Sequence, residues 1–292
     1  MTLPGVRGRL TPDYPLGKDS WFRCGGSVDV LFEPADLDDL SEFLKSFDDP
    51  VMVLGGLANT IIRDGGIRGC VIRLGKAFSA IEVSGTKIRV GAGALNGSVA
   101  SAAAKNGIGG LEYLSGIPGS VGGALRMNAG AYGAEVKDVL VEAEAINHNA
   151  RIHKLIPDNM GMTYRHIDVP DDYIFTGATF EGLEESSDVV RGRLKEIKAK
   201  RQSTQPIAEQ TGGSTFANPD GMKAWELIDR AGCRDLKIGG AQMSEKHCNF
   251  MINGGDATAS DLESLGDEII RIVQDKTGVT LKWEIKRLGE RA

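Results

Sequence analysis

The chain has 292 residues, 41% of them hydrophobic and 25% charged, which is ordinary for a globular protein of two or three domains. Its 34 basic and 40 acidic side chains give a net charge of −6, which disfavours nucleic acid and anionic membranes as partners. Glycine is the exception, with 39 residues, roughly twice the usual ~7%.

Signals for export, membrane insertion and metal binding are missing from the sequence. Residues 1–9 contain no apolar stretch of signal-peptide length, and no run approaches ~20 apolar residues, so we expect a cytoplasmic protein. The four cysteines are far apart in the sequence, which disfavours disulfides. The four histidines lack the spacing of a zinc site, so we expect no metal.

The first third of the chain alternates strand and helix patterns. Apolar Val28–Phe32 predicts a strand, leucines spaced by three and four predict a helix over 35–47, and apolar Val51–Leu54 predicts a short buried strand. Further strands are predicted over 70–74 and 80–83. These elements indicate a small α/β unit.

A second unit begins near residue 87, and a third follows the polar loop 206–213, which marks a domain boundary. The predicted elements of the second are strands over 88–90, 139–146 and 172–180 and helices over 95–105 and 186–202. The third has helices over 222–231 and from 258, where Thr258–Asp261 resembles a capping box, and a final strand over 279–288.

The segment Ile117–Gly133 is the most informative feature of the sequence. Five of its 17 residues are glycine, yet apolar residues such as Val121 and Leu125 would anchor it in a core. Glycines at this density let the backbone approach a large ligand, especially the phosphates of a nucleotide. The alternative is a purely structural glycine cluster, which we consider the weaker interpretation.

A second glycine turn, Leu54–Thr60, follows a predicted strand. Its backbone amides would form a concavity for an anion, and Asn59 and Thr60 add side-chain donors. Alone, this turn fits a phosphate loop and an ordinary strand end equally well. Together with residues 116–123, it predicts two loops that hold one diphosphate ligand.

A third glycine turn, Gly91–Asn96, is similar to the dinucleotide-binding fingerprint, and Glu112 lies about 20 residues further on. However, Asn96 replaces the third glycine, which weakens the close packing of helix on strand that the fingerprint needs. A Rossmann site is therefore disfavoured. No P-loop sequence occurs.

Three polar residues lie in apolar or small-residue surroundings and are candidates for catalysis: Arg165, Ser214 and Glu284. Their ordinary interpretations are a strand-end ion pair, a turn serine and a solvated strand acid. From the pattern alone, these are at least as probable as catalytic roles. No nucleophile elbow surrounds Ser214, which disfavours acyl transfer.

Several short segments, taken in order, carry a resemblance to a known family. They are Trp21–Gly26, Gly55–Thr60, Gly110–Gly123, Met127–Gly133, Tyr164–Arg165, Gly213–Pro219, Ser244–Phe250 and Glu284–Gly289. Almost from end to end, they resemble the UDP-N-acetylenolpyruvoylglucosamine reductase family. Any one segment would be weak evidence, whereas the ordered set is specific.

The resemblance implies a fold of mixed α/β and α+β class. Two FAD-binding subdomains of the p-cresol methylhydroxylase type would occupy residues 1–78 and 79–203. An α+β substrate-binding domain would occupy residues 204–292, and its final strand, 280–288, would carry Glu284 back to the active site. The chain length and the short stretch after Tyr164 resemble the compact subtype of the family.

The resemblance also implies an activity, the reduction of UDP-N-acetylglucosamine enolpyruvate to UDP-N-acetylmuramate in peptidoglycan synthesis. Non-covalent FAD would be the cofactor and NADPH the hydride donor. FAD contacts are implied for Gly55, Gly56, Leu57, Ala58, Asn59, Thr60, Gly116, Ile117, Pro118, Gly119, Ser120, Gly122 and Gly123.

By the same resemblance, Arg165 would face the substrate carboxylate, and Ser214 would protonate the α-carbon. Glu284, carrying or sharing a proton, would stabilise the intermediate. Asn218, Tyr132 and His247 are weaker predictions for the substrate site. Structural roles suit these three equally well, and for Asn218 that role would be to stabilise the loop that carries Ser214.

One residue departs from the family pattern. Ala217 stands where the family loop has a lysine, so a positive charge next to the predicted site is lost. Lys200, Arg201 and Lys223 are the neighbouring candidates to supply it.

Two alternative functions remain open. One is another flavin oxidase or dehydrogenase of this fold acting on a sugar or hydroxy acid, and the other is a non-catalytic nucleotide-binding protein.

Overall fold

The protein is described by a computed structural model over residues 3–292. Within these residues the α-helices are α1 Leu37–Ser46, α2 Asn96–Lys105, α3 Val121–Arg126, α4 Ser187–Thr204, α5 Ala224–Arg230 and α6 Ala259–Thr277. The strands are β1 Arg9–Tyr14, β2 Val28–Glu33, β3 Val51–Val53, β4 Thr60–Ile62, β5 Ile67–Ile72, β6 Ile81–Ser84, β7 Lys87–Gly91, β8 Ile108–Gly109, β9 Gly130–Ala131, β10 Ala134–Glu135, β11 Leu140–Ile146, β12 Ile152–Leu155, β13 Ile174–Glu181, β14 Leu183–Glu184, β15 Lys237–Ile238, β16 Ala241–Met243, β17 Met251–Asn253 and β18 Lys286–Leu288.

The chain forms two compact units and passes between them several times. Unit 1 contains the residues up to Thr11 together with Val30–Gly56 and Gly69–Lys200. Unit 2 contains Pro12–Asp29, Leu57–Arg68 and Arg201–Ala292. The division into domains 1–78, 79–203 and 204–292 stays a prediction.

Unit 1 contains two larger sheets, besides the two-stranded pairs β10-β9 and β14-β8. One has the order β1-β2-β5-β3, with β3 parallel to β5, and the other is antiparallel with the order β12-β11-β13-β7-β6. The buried face of α2, with Val99, Ala100 and Ala103, joins a core with β7 and β13. A smaller core lies against α1, where the rings of Phe32 and Phe43 stack 4.2 Å apart.

Unit 2 is built around α6. Its apolar side buries Leu262, Leu265 and Ile269 against α5 and the three-stranded sheet β15-β16-β17. The predicted capping box is confirmed, because the Thr258 side chain accepts from the amide of Asp261 while the Asp261 side chain accepts from the amide of Thr258. A further pair of parallel strands, β4 and β18, joins Thr60 to Lys286.

The final strand is shorter than the sequence predicts. It covers Lys286–Leu288, not 279–288, so Glu284 lies just before it. The preceding residues pair antiparallel with another segment, through the contact of Phe216 with Trp283, before β18 turns to its parallel partner β4. This change of partner interrupts a strand that looks continuous in sequence.

None of the helices within residues 3–292 has the length and apolar character needed to cross a membrane.

Candidate active site

Gly55 and Gly56, at the start of the first glycine loop, lie beside the second loop in unit 1. A Cβ atom built on Gly56 would lie 3.0 Å from the Cα of Gly119, and one built on Gly55 would lie 2.5 Å from the Oγ of Ser120. A side chain at Gly55 would force the Ser120 hydroxyl to move, and one at Gly56 would force the Gly119 backbone to shift, so both positions favour glycine.

Hydrogen bonds to Asn96 hold the backbone carbonyls of the second loop. The amide of Asn96 donates to the oxygen of Gly119 over 3.1 Å, and its Nδ2 lies 3.3 Å from the oxygen of Ile117 and 3.4 Å from that of Ser120. Ser120 caps α3, because its side chain accepts from the amide of Gly123.

The amides of the two loops are left available for an anion. Among residues 3–292, no backbone carbonyl accepts from the amides of Gly55, Gly56, Gly119 or Ser120. Neighbouring unpaired amides are the donor set that a diphosphate requires. The residues present thus fit the diphosphate of a dinucleotide cofactor such as FAD.

The rest of the predicted cofactor set lies at and around these loops. In unit 2, Leu57 and Ala58 are buried, Leu57 has a φ of 50°, and Thr60 begins β4. In unit 1, a Cβ atom on Gly116 would lie 2.6 Å from the ring of Tyr132, and one on Gly122 would lie 3.2 Å from the Cβ of Ala92. Gly116, Ile117 and Pro118 lead into the second loop, and Gly123 is part of α3.

Asn59 joins the first loop to the segment that carries Glu284. Its Nδ2 donates to the backbone oxygen of Glu284 over 3.1 Å, and its own backbone oxygen accepts from the amide of Lys286 over 3.0 Å. These bonds lie within unit 2. They fix the backbone of Glu284 to the chain that leads out of the first glycine loop.

Ser214 and Glu284 lie on neighbouring, paired segments of unit 2. The amide of Glu284 donates to the oxygen of Thr215 over 2.8 Å, and Ser214 pairs with Phe250. Thr215 is fully buried, and its Oγ1 accepts from the amide of Met251 over 3.2 Å. The structure therefore brings these two predicted residues together on one framework.

Arg165 lies in unit 1 at the tip of a tight turn, residues 163–166, which we call the Arg165 turn. The amides and carbonyls of Thr163 and His166 exchange hydrogen bonds of 3.0 and 3.2 Å. Arg165 has a φ of 56°, in the left-handed region that favours glycine. Its guanidinium donates to the oxygen of Gly130 over 3.1 Å and lies over the ring of Tyr164.

The weaker substrate-site predictions occupy distinct settings. Asn218 accepts from the amide of Ala224 over 3.0 Å, at the start of α5. Tyr132 is 40% exposed, and the Nζ of Lys200 lies 5.6 Å from the centre of its ring.

His247 is held by its neighbours in unit 2. Its Nδ1 accepts from the amide of Asn249 over 3.3 Å, and burial lowers the pKa of His247 below its ordinary value.

Two asparagines that hold the candidate site were not identified from the sequence. Asn96, which weakens the dinucleotide fingerprint at Gly91–Asn96, is fully buried and holds the second loop. Asn128, also fully buried, contacts the Arg165 turn. The sequence feature that could have identified them is a polar residue inside an apolar or glycine-rich segment.

Among residues 3–292, no group of three or more histidine, cysteine or acidic side chains is placed to hold a metal ion.

The mixed fold and the paired amide loops define a protein of the FAD-binding class. Residues 28–156 match the FAD binding domain family, which confirms the predicted fold and the cofactor FAD. Residues 205–288 match a second family, the C-terminal domain of UDP-N-acetylenolpyruvoylglucosamine reductase.

Similar proteins match this chain over almost its full length. UDP-N-acetylenolpyruvoylglucosamine reductase from Parvibaculum lavamentivorans is 54% identical over 99% of this chain and 94% of its own. The protein of the same name from Rhodospirillum rubrum is 50% identical over 98% of this chain and 92% of its own.

A solved structure agrees. The crystal structure of UDP-N-acetylenolpyruvylglucosamine reductase from Thermus caldophilus matches with a TM-score of 0.84 and 30% identity, covering 98% of this chain and all of that one. The chain belongs to the UDP-N-acetylenolpyruvoylglucosamine reductase family.

Proposed function

We propose that this protein is the FAD-dependent reductase that converts UDP-N-acetylglucosamine enolpyruvate to UDP-N-acetylmuramate, with NADPH as electron donor. The observation that carries this function is the match to reductases of that name along nearly the whole chain. The amide-lined pair of loops supplies the site that such a cofactor requires. The reaction belongs to the synthesis of peptidoglycan precursors.

The two loops would hold the cofactor through their backbone. The amides of Gly55, Gly56, Gly119 and Ser120 would donate to the diphosphate, and the remaining residues of 55–60 and 116–123 would shape the loops. When bound, FAD supplies the hydride-transfer chemistry, while the protein supplies position and charge.

Arg165 would bind the carboxylate of the enolpyruvyl group. A guanidinium matches a carboxylate with parallel hydrogen bonds, and its fixed charge favours the extra negative charge of the transition state. The left-handed backbone at Arg165 supports this role, because strained residues persist where function requires their side chain.

Ser214 would donate the proton to the α-carbon of the substrate. A hydroxyl is a weak acid, so it can act only against a strongly basic carbon such as an enolate. Glu284, whose backbone is tied to Thr215, would stabilise that charge through a shared proton. Tyr132, exposed beside Lys200, would contribute to substrate binding, whereas Asn218 would hold the loop that carries Ser214.

Anaerobic mixing of the purified holoenzyme tests this function against its rivals. NADPH should bleach the flavin, and UDP-N-acetylglucosamine enolpyruvate should then restore its colour with formation of UDP-N-acetylmuramate. Reduction of the flavin by a simple sugar or a hydroxy acid would favour another flavoenzyme of this fold. A purified protein that neither contains nor takes up FAD would favour a colourless nucleotide-binding protein.

A further inference from the structure

Hydrogen bonds join the Arg165 turn to the glycine-rich segment 127–133 through both the backbone of the turn and the guanidinium of Arg165. The Nδ2 of Asn128 donates to the oxygen of Thr163 over 2.9 Å, at the base of the turn. The guanidinium of Arg165 donates to the oxygen of Gly130 over 3.1 Å. One contact therefore fixes the backbone of the turn and the other fixes the guanidinium.

Asn128 is fully buried, and both ends of its side-chain amide are used. The Nδ2 also donates to the Oε2 of Glu135 over 3.1 Å, and the Oδ1 accepts from the amide of Lys137 over 3.0 Å. Because an amide nitrogen must face Thr163 and an oxygen must face Lys137, only one orientation of the carboxamide satisfies all partners. Asn128 is consequently a rigid support for the turn.

The conformation of the turn is costly without such support. Arg165 has a φ of 56°, and the left-handed region is unfavourable for a residue with a Cβ atom. Asn128 also has a positive φ, 41°, which asparagine tolerates better than arginine does. Such residues persist when the surrounding hydrogen bonds determine their conformation.

We infer that Asn128 is the positioning residue for Arg165: it holds the turn so that the guanidinium faces the carboxylate of the enolpyruvyl group. This inference rests on the proposed function, which assigns the carboxylate to Arg165. Asn128 would act through the turn and not by touching the substrate. Its loss should therefore weaken recognition of the carboxylate and leave recognition of the nucleotide unchanged.

The test compares two ligands on the FAD-loaded protein by isothermal titration calorimetry. UDP-N-acetylglucosamine enolpyruvate carries the carboxylate, and UDP-N-acetylglucosamine lacks it. Asn128→Ala should weaken binding of the first ligand about 10-fold or more, as expected for lost orientation of a charged hydrogen-bonding group. It should change binding of the second less than about 2-fold. An equal change for both ligands would show a merely structural residue.

A matched control separates positioning from loss of stability. Asn147 is another buried asparagine of unit 1; its Oδ1 accepts from the amides of Asn149 and Arg151 in a different turn. Asn147→Ala should lower the melting temperature without changing the ratio of the two affinities. If Asn128→Ala does not fold, Asn128→Asp keeps the size and the acceptor for Lys137 but places an oxygen against Thr163. The same selective loss is expected from it, and unchanged selectivity would overturn the inference.

A double-mutant cycle distinguishes failure of this inference from failure of the proposed function. In an Arg165→Ala background, Asn128→Ala should cause little further loss of affinity for the enolpyruvyl ligand, because both changes disable one interaction. Full additivity would contradict the inference. If Arg165→Ala alone leaves affinity and turnover intact, the assigned role of Arg165 fails instead.

Discussion

Arg165 has a backbone conformation that suits glycine better than arginine. Its φ of 56° places the Cβ atom close to the neighbouring carbonyl, and the residue is retained with its long charged side chain. Such a backbone conformation is compatible with a functional role for the side chain, which the following substitutions test.

Replacement of Arg165 should therefore separate stability from activity. Arg165→Ala keeps the strain of a Cβ atom, whereas Arg165→Gly removes it, so the glycine variant should be the more stable by about 1 kcal/mol. Both variants should lose reduction of the enolpyruvyl substrate by about 100-fold or more, since neither carries the charge. Urea denaturation and single-turnover kinetics measure the two effects. An alanine variant at least as stable as the glycine variant would argue against a strained turn.

His247 should make the stability of unit 2 dependent on pH. Burial lowers the pKa of His247, and its Nδ1 must be unprotonated to accept from the amide of Asn249. The unfolded chain, with a histidine pKa near 6.5, therefore binds the proton at higher pH than the folded chain does. This contribution to stability is complete above about pH 6.5 and is lost as pH falls from there toward the folded pKa.

The variant His247→Gln tests this dependence. Its free energy of unfolding should fall less than that of the wild type between about pH 7.5 and about pH 5.5, since glutamine does not titrate. Denaturation curves at several pH values give the comparison. The same slope in both proteins would show that His247 does not titrate in this range.

The sequence alone can suggest candidate site residues, because a polar residue stands out among small or apolar neighbours. Arg165, Ser214 and Glu284 were singled out as candidates in this way, and their catalytic roles stay predictions. Their supports were not visible, since Asn59 and Glu284 lie 225 positions apart and Asn128 bonds to Thr163 across 35 positions. Such contacts depend on tertiary structure, which a local pattern does not specify.

At the scale of elements, the close approach of Gly56 to Gly119 would set the shape of the proposed cofactor site. Gly56→Ala would put a Cβ atom 3.0 Å from the Cα of Gly119, and no side-chain rotation can relieve a contact with backbone. The loops must then separate, so the affinity for FAD should fall about 10-fold or more. Fluorescence titration of the apoprotein with FAD measures this.

A control for Gly56→Ala is available in α4. A Cβ atom on Gly192 would meet nothing within 4 Å, so Gly192→Ala should stabilise the helix by up to ~1 kcal/mol and leave FAD binding unchanged. If both variants bound FAD like the wild type, the close approach of the loops would be irrelevant to the cofactor.

A partly buried ion pair joins α6 to the residue after β4 in unit 2. The guanidinium of Arg63 lies 2.9 Å from the carboxylate of Glu263, which is only 6% exposed, and also donates to the oxygen of Gly289. Glu263→Gln removes the negative charge that faces Arg63, and also Arg287 at 3.6 Å and Arg291 at 3.9 Å, so we expect a loss of about 2 kcal/mol in the free energy of unfolding.

The matching change on the surface of the same helix is Glu268→Gln. Glu268 pairs with Arg271 one turn away in solvent, and exposed pairs contribute little. This variant should unfold like the wild type. Equal effects of the two substitutions in urea denaturation would mean that the Glu263 pair contributes no more than a surface pair.

Most elements were predictable from sequence, and their pairing was not. The capping box at Thr258 and the apolar repeat of α6 are local signals and were identified correctly. The strand predicted over 279–288 was too long, because Trp283 and Lys286 pair with different partners, Phe216 and Thr60. Continuous β-forming sequence carries no information about such a change of partner.

At the scale of the whole molecule, the predicted catalytic residues are distributed over both units. Arg165 belongs to unit 1, whereas Ser214 and Glu284 belong to unit 2. The glycine loop at 55–60 begins in one unit and ends in the other. The sequence predicts domains as consecutive stretches, so it does not reveal a chain that returns repeatedly to the same unit.

The central claim is that this protein divides its reaction into two half-reactions and that Ser214 acts only in the second. Rapid mixing of the Ser214→Ala holoenzyme under anaerobic conditions tests it directly. NADPH should bleach the flavin at a near-normal rate, while recovery of the colour by UDP-N-acetylglucosamine enolpyruvate should slow by roughly 10²–10⁴, as for a lost proton donor. Equal slowing of both half-reactions, or of neither, would contradict the account.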